Sequence, residues 1–378
     1  LYQRALSHVG EASLTVFVNK RGTRGLMRAM GRAAAAAGEP GEAGPDADRM
    51  AQVVDRYNVQ NAVVVGSHWT DAGLEVRSYT MLDPAAPGAA PLREMLSTPA
   101  SEIEVVGYFP DSTLAFYAVN FLDAVKIFDF AVTYVKEVAS AADTAGADAA
   151  ARVDQGIAQF QQQTGMDIRT DILGWMGREA AFGLNGVVKG GFFPVPEASL
   201  VIQAADPARA QAFFRKLEAQ IAAAAQSSPQ LQGFPVQFQE EDHKGVKIRF
   251  APTPMGEGLA PAYALQDDYA VVALSRTTLK RMLDARTGAA PGVSANAQFE
   301  SLGGFLPGQA NLVGYANTAA LFTEIGSAVT TFQQMSGQQP GIQAQDSVLA
   351  ALKNIEAVGT YGLNDGGGVE QRFLIRIK

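Results

Sequence analysis

The feature that most constrains this chain is that its two ends repeat one another. Near the start, Ser13-Leu-Thr-Val-Phe-Val-Asn19 is an apolar strand closed by Asn, and Asn311-Leu-Val-Gly-Tyr-Ala-Asn317 near the end has the same shape. A helical stretch follows each. Gly22 to Ala37 carries Leu26, Met27 and Met30 on one face, and Thr318 to Met335 carries Leu321, Ile325, Val329 and Phe332 at helical spacing. Gly/Pro-bearing linkers at 38–48 and 336–345 lead to strands that start alike, Val59-Gln-Asn61-Ala-Val-Val-Val-Gly66 and Leu352-Lys-Asn354-Ile-Glu-Ala-Val-Gly359. After a Gly-bearing turn, Gly73-Leu-Glu-Val-Arg-Ser-Tyr79 matches Gly368-Val-Glu-Gln-Arg-Phe-Leu374, with Glu-x-Arg at equivalent places. Tyr2 to Leu6 precedes the first strand as Phe299 to Leu302 precedes the last. Such self-similarity sets the architecture, so it is read first. It predicts a tandemly duplicated module. Residues 1–95 are the C-terminal half of a first module whose head is missing. Residues 96–378 are a complete second module, whose tail, 311–378, repeats 13–80.

The complete module opens with a third strand ending in Asn, Ser112 to Asn120, followed by a helix that breaks in the Ala-rich stretch 139–151 and resumes over Val153 to Gln163. A short Gly-closed helix comes next, with strands at Glu179 to Val188 and Ala198 to Ala204. Asp206-Pro207 then caps a helix, because Pro suits the first helical position and Asp the cap. Strands over Val236–Glu240, Val246–Phe250, Ala262–Gln266 and Ala270–Leu274 precede a helix capped by Ser275. Hairpin-joined strands with intervening helices predict an α+β fold: mostly antiparallel sheets with helices packed on one face.

Three segments resemble the uncharacterised bacterial family DUF3352: Pro110 to Asn120, Gly165-Met-Asp-Ile-Arg-Thr-Asp-Ile-Leu-Gly-Trp175-Met-Gly-Arg-Glu-Ala, and Leu200-Val-Ile-Gln-Ala-Ala-Asp-Pro207. The resemblance spans roughly 105–325. It implies an exported or membrane-anchored protein, in the periplasm or, in a cyanobacterium, the thylakoid lumen. It supplies no catalytic residues. The chain starts at Leu1 inside a structural unit, so a signal peptide or anchor is expected in a missing N-terminal part.

Composition removes several functions. The chain has no cysteine, which excludes disulfides, thiolate nucleophiles and Cys-based metal centres. A net charge of −8 argues against nucleic acid, whose phosphates need clustered Lys and Arg. No apolar run is long enough to span a bilayer. No G-x-G-x-x-G follows a strand, and neither G-x-x-x-x-G-K-[ST] nor G-x-S-x-G occurs. No cofactor is expected.

The catalytic candidates by residue type are Asp167, Asp171 and Glu179 around Trp175. Two carboxylates four residues apart can raise each other's pKa and work as acid and base. The competing reading makes the aspartates helix caps and Trp175 a core anchor with a satisfied N–H. Glu240, Glu241 and Asp242 beside His243 are the candidate cation ligands, or else the flank of a charged hairpin tip. His68-Trp69-Thr-Asp71 is read as a turn between strands. Phe192, Phe193 and Val195 in one Pro-bounded loop, and Met255 and Leu259 in another, are the candidate interaction residues, because apolar loop tips are unusual. The expectation is a non-enzymatic, exported accessory protein docking protein partners in a larger, membrane-associated assembly. A carrier of an apolar ligand (lipid or pigment) and a carboxylate-dependent hydrolase are the alternatives.

Overall fold

A computed structural model describes residues 2–19, 59–86, 89–142, 149–188, 195–227, 236–253, 257–336 and 354–378, with isolated positions between 22 and 57. Its centre is one 13-stranded sheet. The strands are β1 (Leu14–Asn19), β2 (Gln60–Thr70), β3 (Gly73–Leu82), β4 (Ala115–Val119), β5 (Met176–Val188), β6 (Val195–Ala204), β7 (Gln239–His243), β8 (Val246–Phe250), β9 (Ala262–Gln266), β10 (Tyr269–Ala273), β11 (Leu312–Ala316), β12 (Ile355–Asn364) and β13 (Gly368–Ile377). They lie in the order β1-β2-β3-β13-β12-β11-β4-β5-β6-β10-β9-β8-β7. Every ladder between them is antiparallel. The α+β class with an antiparallel sheet is thus as expected.

The described helices are α1 (Tyr2–Val9), α2 (Ala89–Leu96), α3 (Ala124–Ala142), α4 (Ala149–Thr164), α5 (Pro207–Ser227), α6 (Arg276–Arg286), α7 (Ala297–Glu300) and α8 (Thr318–Ser336). Two starts follow from side-chain caps. Asp206 Oδ1 accepts from Arg209 N at 3.0 Å, and Ser275 Oγ from Thr278 N at 3.0 Å. The helix expected over 22–37 lies outside the described residues.

The helices cover both faces of the sheet, not one. On the first face, the 3-10 turn Glu104–Tyr108, α6 and α7 close a large core containing Phe109, Phe116, Val201, Val271, Leu279 and Leu302. A smaller core under α1 joins Ala5 and Val9 to Val64, Tyr79 and Met81 on the same side. On the second face, α5 sets Ala210 and Phe214 against Trp175, Ile202 and Ala270. The reason is legible in the strands. β6 and β10 are apolar at both parities, Val201 with Ile202 and Ala270 with Val271, and successive side chains point to opposite faces.

The segments that resemble one another in sequence meet between the third and fourth strands of the sheet. β3 pairs β13 so that Arg77 faces Arg372 and Glu370 faces Tyr79. Their flanking ladders share one register: Phe17 faces Val64, and two residues on Gly66 faces Arg77; Tyr315 faces Gly359, and two residues on Tyr361 faces Arg372. Val64 therefore corresponds to Gly359, whereas the sequence alignment had matched Gly66 with Gly359. The Asn and Gly anchors misled by two residues because side-chain parity is preserved at that shift. The turn expected at His68 also moves. β2 runs through Thr70, and the reversal is Asp71-Ala72, with Thr70 paired to Gly73.

Candidate functional site

The family-like segment around Trp175 forms a single π-helical turn, Ile168–Leu173. Asp167 caps it, accepting from Thr170 N at 2.8 Å and Thr170 Oγ1 at 3.1 Å. Asp171 accepts from Asp167 N at 2.9 Å and pairs with Lys216 of α5 at 3.1 Å. Both carboxyls are therefore held below the usual Asp range, Asp167 chiefly by the Thr170 N–H and Asp171 chiefly by the Asp167 N–H, then by Lys216. Asp171 raises Asp167 only as the smallest contribution, so the net shift of both carboxyls is downward, opposite to that of the expected acid–base pair, in which one member is held protonated. A small cleft of about 240 Å³ beside it is lined by Thr170, Asp171, Arg209, Ala212, Phe213 and Lys216. Trp175 is 1% exposed and packs against Phe213 and Phe214 at 5.7 and 5.9 Å between ring centres. Its indole N–H, however, has no acceptor among the described residues, which corrects the expectation of a satisfied donor.

Glu179 does not join this group, because strand alternation in β5 sends it to the opposite face of the sheet. There it accepts from Val105 N at 3.1 Å and Tyr269 Oη at 3.2 Å. Burial pushes its carboxyl above the ordinary Glu range against those two donors. Arg286, at the end of α6, lies over the rings of Tyr108 and Tyr269 and binds Glu104 at 3.0 Å. An adjacent cleft of about 490 Å³ is lined by Glu102, Glu104, Arg286, Phe299 and Leu306 among others. Sequence reading missed this cluster, since Glu104, Glu179, Tyr269 and Arg286 are brought together only by the sheet. Its groups largely satisfy one another, and it fastens the 3-10 turn to β5 and α6.

The carboxylates of β7 are likewise engaged. Glu241 binds Arg276 and Lys280, Glu240 binds Lys247 at 3.1 Å, and Asp242 accepts from Gly245 N in the hairpin tip. Alternation along the strand turns Glu241 away from Glu240 and Asp242. Among the described residues no group of three or more ligating side chains gathers. His243 and Lys244 instead both reach Asp284, at 2.8 and 2.7 Å. His68 lies within β2, 3.2 Å from Glu75. Of the loop candidates, Val195 and Leu259 are half-buried, and Phe192, Phe193 and Met255 lie outside the described residues.

The surface that does stand out is apolar. On the second face, β4, β5 and β6 form a three-by-three grid: Ala115, Tyr117 and Val119 sit opposite Leu184, Phe182 and Ala180, which sit opposite Ala198, Leu200 and Ile202. No charge interrupts it. Tyr117 is 47%, Phe182 56% and Leu200 38% exposed, so a continuous row of large, half-exposed side chains crosses three strands. Partial burial raises the Tyr117 hydroxyl pKa. Beyond the grid, α3 is apolar around much of its circumference, with Val125, Ile127, Phe128, Phe130, Val132 and Val135. Such a helix is normally buried. Here no residue of α3 before Ala141 is fully buried, and it packs chiefly against α4 and the π-helical turn. Among the described residues no helix is long and apolar enough to cross a membrane.

The sequence profile of a family described as protein of unknown function (DUF3352) matches residues 1–235. The chain belongs to this family. The match contains all three resemblance motifs. It begins earlier than the 105–325 span read from the sequence and ends before it, so α1 to β3 are part of the family pattern. No curated protein matches the chain. The crystal structure of TP0453 in crystal form I overlaps 69% of this chain and 73% of its own, with a TM-score of 0.26 and 7% identity. Likeness at that level carries no argument about fold or role.

Proposed function

We propose that this protein is a non-catalytic, exported binding protein that holds an apolar chain, such as the acyl tail of a lipid, against the second face of its sheet. The observation that carries this reading is the half-exposed, charge-free row Tyr117–Phe182–Leu200. Soluble proteins rarely leave contiguous apolar patches without a use for them. Sites for apolar ligands are lined by aliphatic and aromatic groups with few polar ones.

The test is organic extraction of the purified protein followed by mass spectrometry, with Phe182→Asp and Leu200→Asp as comparators. Wild type should release a lipid or other apolar molecule. A charge in the row should lower its yield about ten-fold, because a buried carboxylate without a partner costs well over 1.4 kcal/mol. An empty wild-type extract, together with no uptake of a fluorescent fatty acid, would sink the proposal.

The architectural reading belongs here too. We infer that β1–β2–β3 and β11–β12–β13 arose by duplication and meet about a local two-fold axis between Arg77 and Arg372. The shared registers support it, as does the Nε-to-carboxylate bond that each Arg makes two residues back, at 2.7 Å in both units. Tyr2 meets Phe17 edge-on at 5.1 Å and Phe299 meets Tyr315 edge-on at 5.2 Å. A Cβ at Gly73 would collide with the Ile375 carbonyl, and one at Gly368 with the Thr80 carbonyl, which is the same contact seen from each side of the axis.

A further inference from the structure

The sheet ends in two edges of opposite character. At one end β7 reads Gln-Glu-Glu-Asp-His, so a strand approaching it would have to strip water from a row of charges. At the other end β1 reads Leu-Thr-Val-Phe-Val-Asn. It has six consecutive regular pairs to β2, no bulge, no proline and no charge. Natural edge strands that stay single are normally guarded by one of those devices. Among the described residues β7 is guarded and β1 is not.

The chain contains its own template for what belongs there. In the duplication reading, on which this inference rests, β1 corresponds to β11, with Leu14 at Leu312 and Phe17 at Tyr315. The edge of β11 that corresponds to the open edge of β1 is covered by β4, with Leu312 facing Val119, Gly314 facing Tyr117 and Tyr315 facing Phe116. That seam buries an aromatic cluster, Phe116 lying 5.9 Å from Tyr315. Phe17, the counterpart of Tyr315, is only partly buried.

We infer that the open edge of β1 is a docking site for an antiparallel strand of the β4 pattern, supplied by a separate module of the same family. Backbone hydrogen bonds to β1 provide the affinity, and an aromatic side chain settling on Phe17 provides the register. A second copy of this chain cannot donate its own β4, which is already held between β11 and β5.

The absence of cysteine makes a clean test. A peptide of residues 112–120 with a lysine tail for solubility is mixed with the 378-residue chain. In-register cysteine pairs (Val16→Cys with Tyr117→Cys in the peptide, Thr15→Cys with Ala118→Cys) should form disulfides about ten-fold faster than the out-of-register pair of Val16→Cys with an Ala115→Cys peptide, because disulfide geometry tolerates little displacement. Val313→Cys, whose edge β4 already covers, should react no faster than the out-of-register pair. Equal rates for all pairs would overturn the inference, and so would Val16→Cys protein linking to itself faster than to peptide, which makes β1 of a second copy the occupant. The β3–β13 seam on which the duplication reading rests is checked separately: Gly73→Ala and Gly368→Ala should both lower the urea midpoint, Gly73→Ala the more because its φ is +133°, whatever the peptide does.

Discussion

Trp175 is the sharpest place to test the packing argument, because two opposing effects there can be weighed. Its ring is buried against Phe213 and Phe214, while its N–H has no acceptor among the described residues. An unsatisfied buried donor costs about 1–3 kcal/mol. Trp175→Phe removes that donor but leaves roughly 40 Å³ unfilled, and at ~24 cal/mol per Å³ the void costs about 1 kcal/mol. The difference runs from about zero to about 2 kcal/mol, so Trp175→Phe should be as stable as wild type or more stable by up to about 2 kcal/mol. Trp175→Ala deletes the whole ring and should cost about 3–5 kcal/mol. Urea unfolding followed by far-UV circular dichroism measures both, since the fluorescence of Trp175 is lost in each. A Trp175→Phe variant as unstable as Trp175→Ala would refute the reasoning, because it would mean that the N–H makes a strong bond in the native state.

Other outcomes follow from single features. Glu179 binds its proton more readily folded than unfolded, since burial raises its pKa. Between the ordinary Glu value and the raised folded value, stability therefore falls as pH rises, by up to about 1.4 kcal/mol per pH unit, and then levels off. Glu179→Gln should flatten that descent in urea midpoints, and an unchanged slope would exclude Glu179 as its source. Asp167 and Asp171 act in the opposite sense: their depressed pKa values add stability that is present above the ordinary Asp range and disappears as pH falls through the folded values, so a double Asn variant should lose part of the acid-side transition. Gly73→Ala and Gly368→Ala each force a methyl group into the opposite strand's backbone at the β3–β13 seam and should cost on the order of 2–3 kcal/mol apiece by the same denaturant measurement.

What could be read from the residues was local or periodic. Asp206-Pro207 and Ser275 announced their helices because a cap is a contact within four residues. The antiparallel hairpins were legible from alternation and turn glycines, and matched anchors in a single order suggested the repeat that the duplication proposal rests on. The two-residue error at Gly66 shows the limit of that kind of reading: a shift of two leaves every side chain on its proper face, so only the ladder distinguishes the registers. The candidate residues fared according to the same rule. Asp167, Asp171 and Glu179 are near neighbours in sequence, yet the pleat sends Glu179 through the sheet to meet Val105 and Tyr269 instead. The row Tyr117–Phe182–Leu200 carried no signal in sequence at all, since each member sits in an ordinary alternating strand and becomes a surface only when β4, β5 and β6 are laid side by side. Composition and pattern by themselves thus determined the fold class, the hairpins, the caps and the absence of cysteine chemistry. Only the tertiary structure decided which face each carboxylate occupies, which edge strand is unpaired among the described strands and where large apolar side chains stay half-exposed, because those depend on pairings between residues tens to hundreds of positions apart.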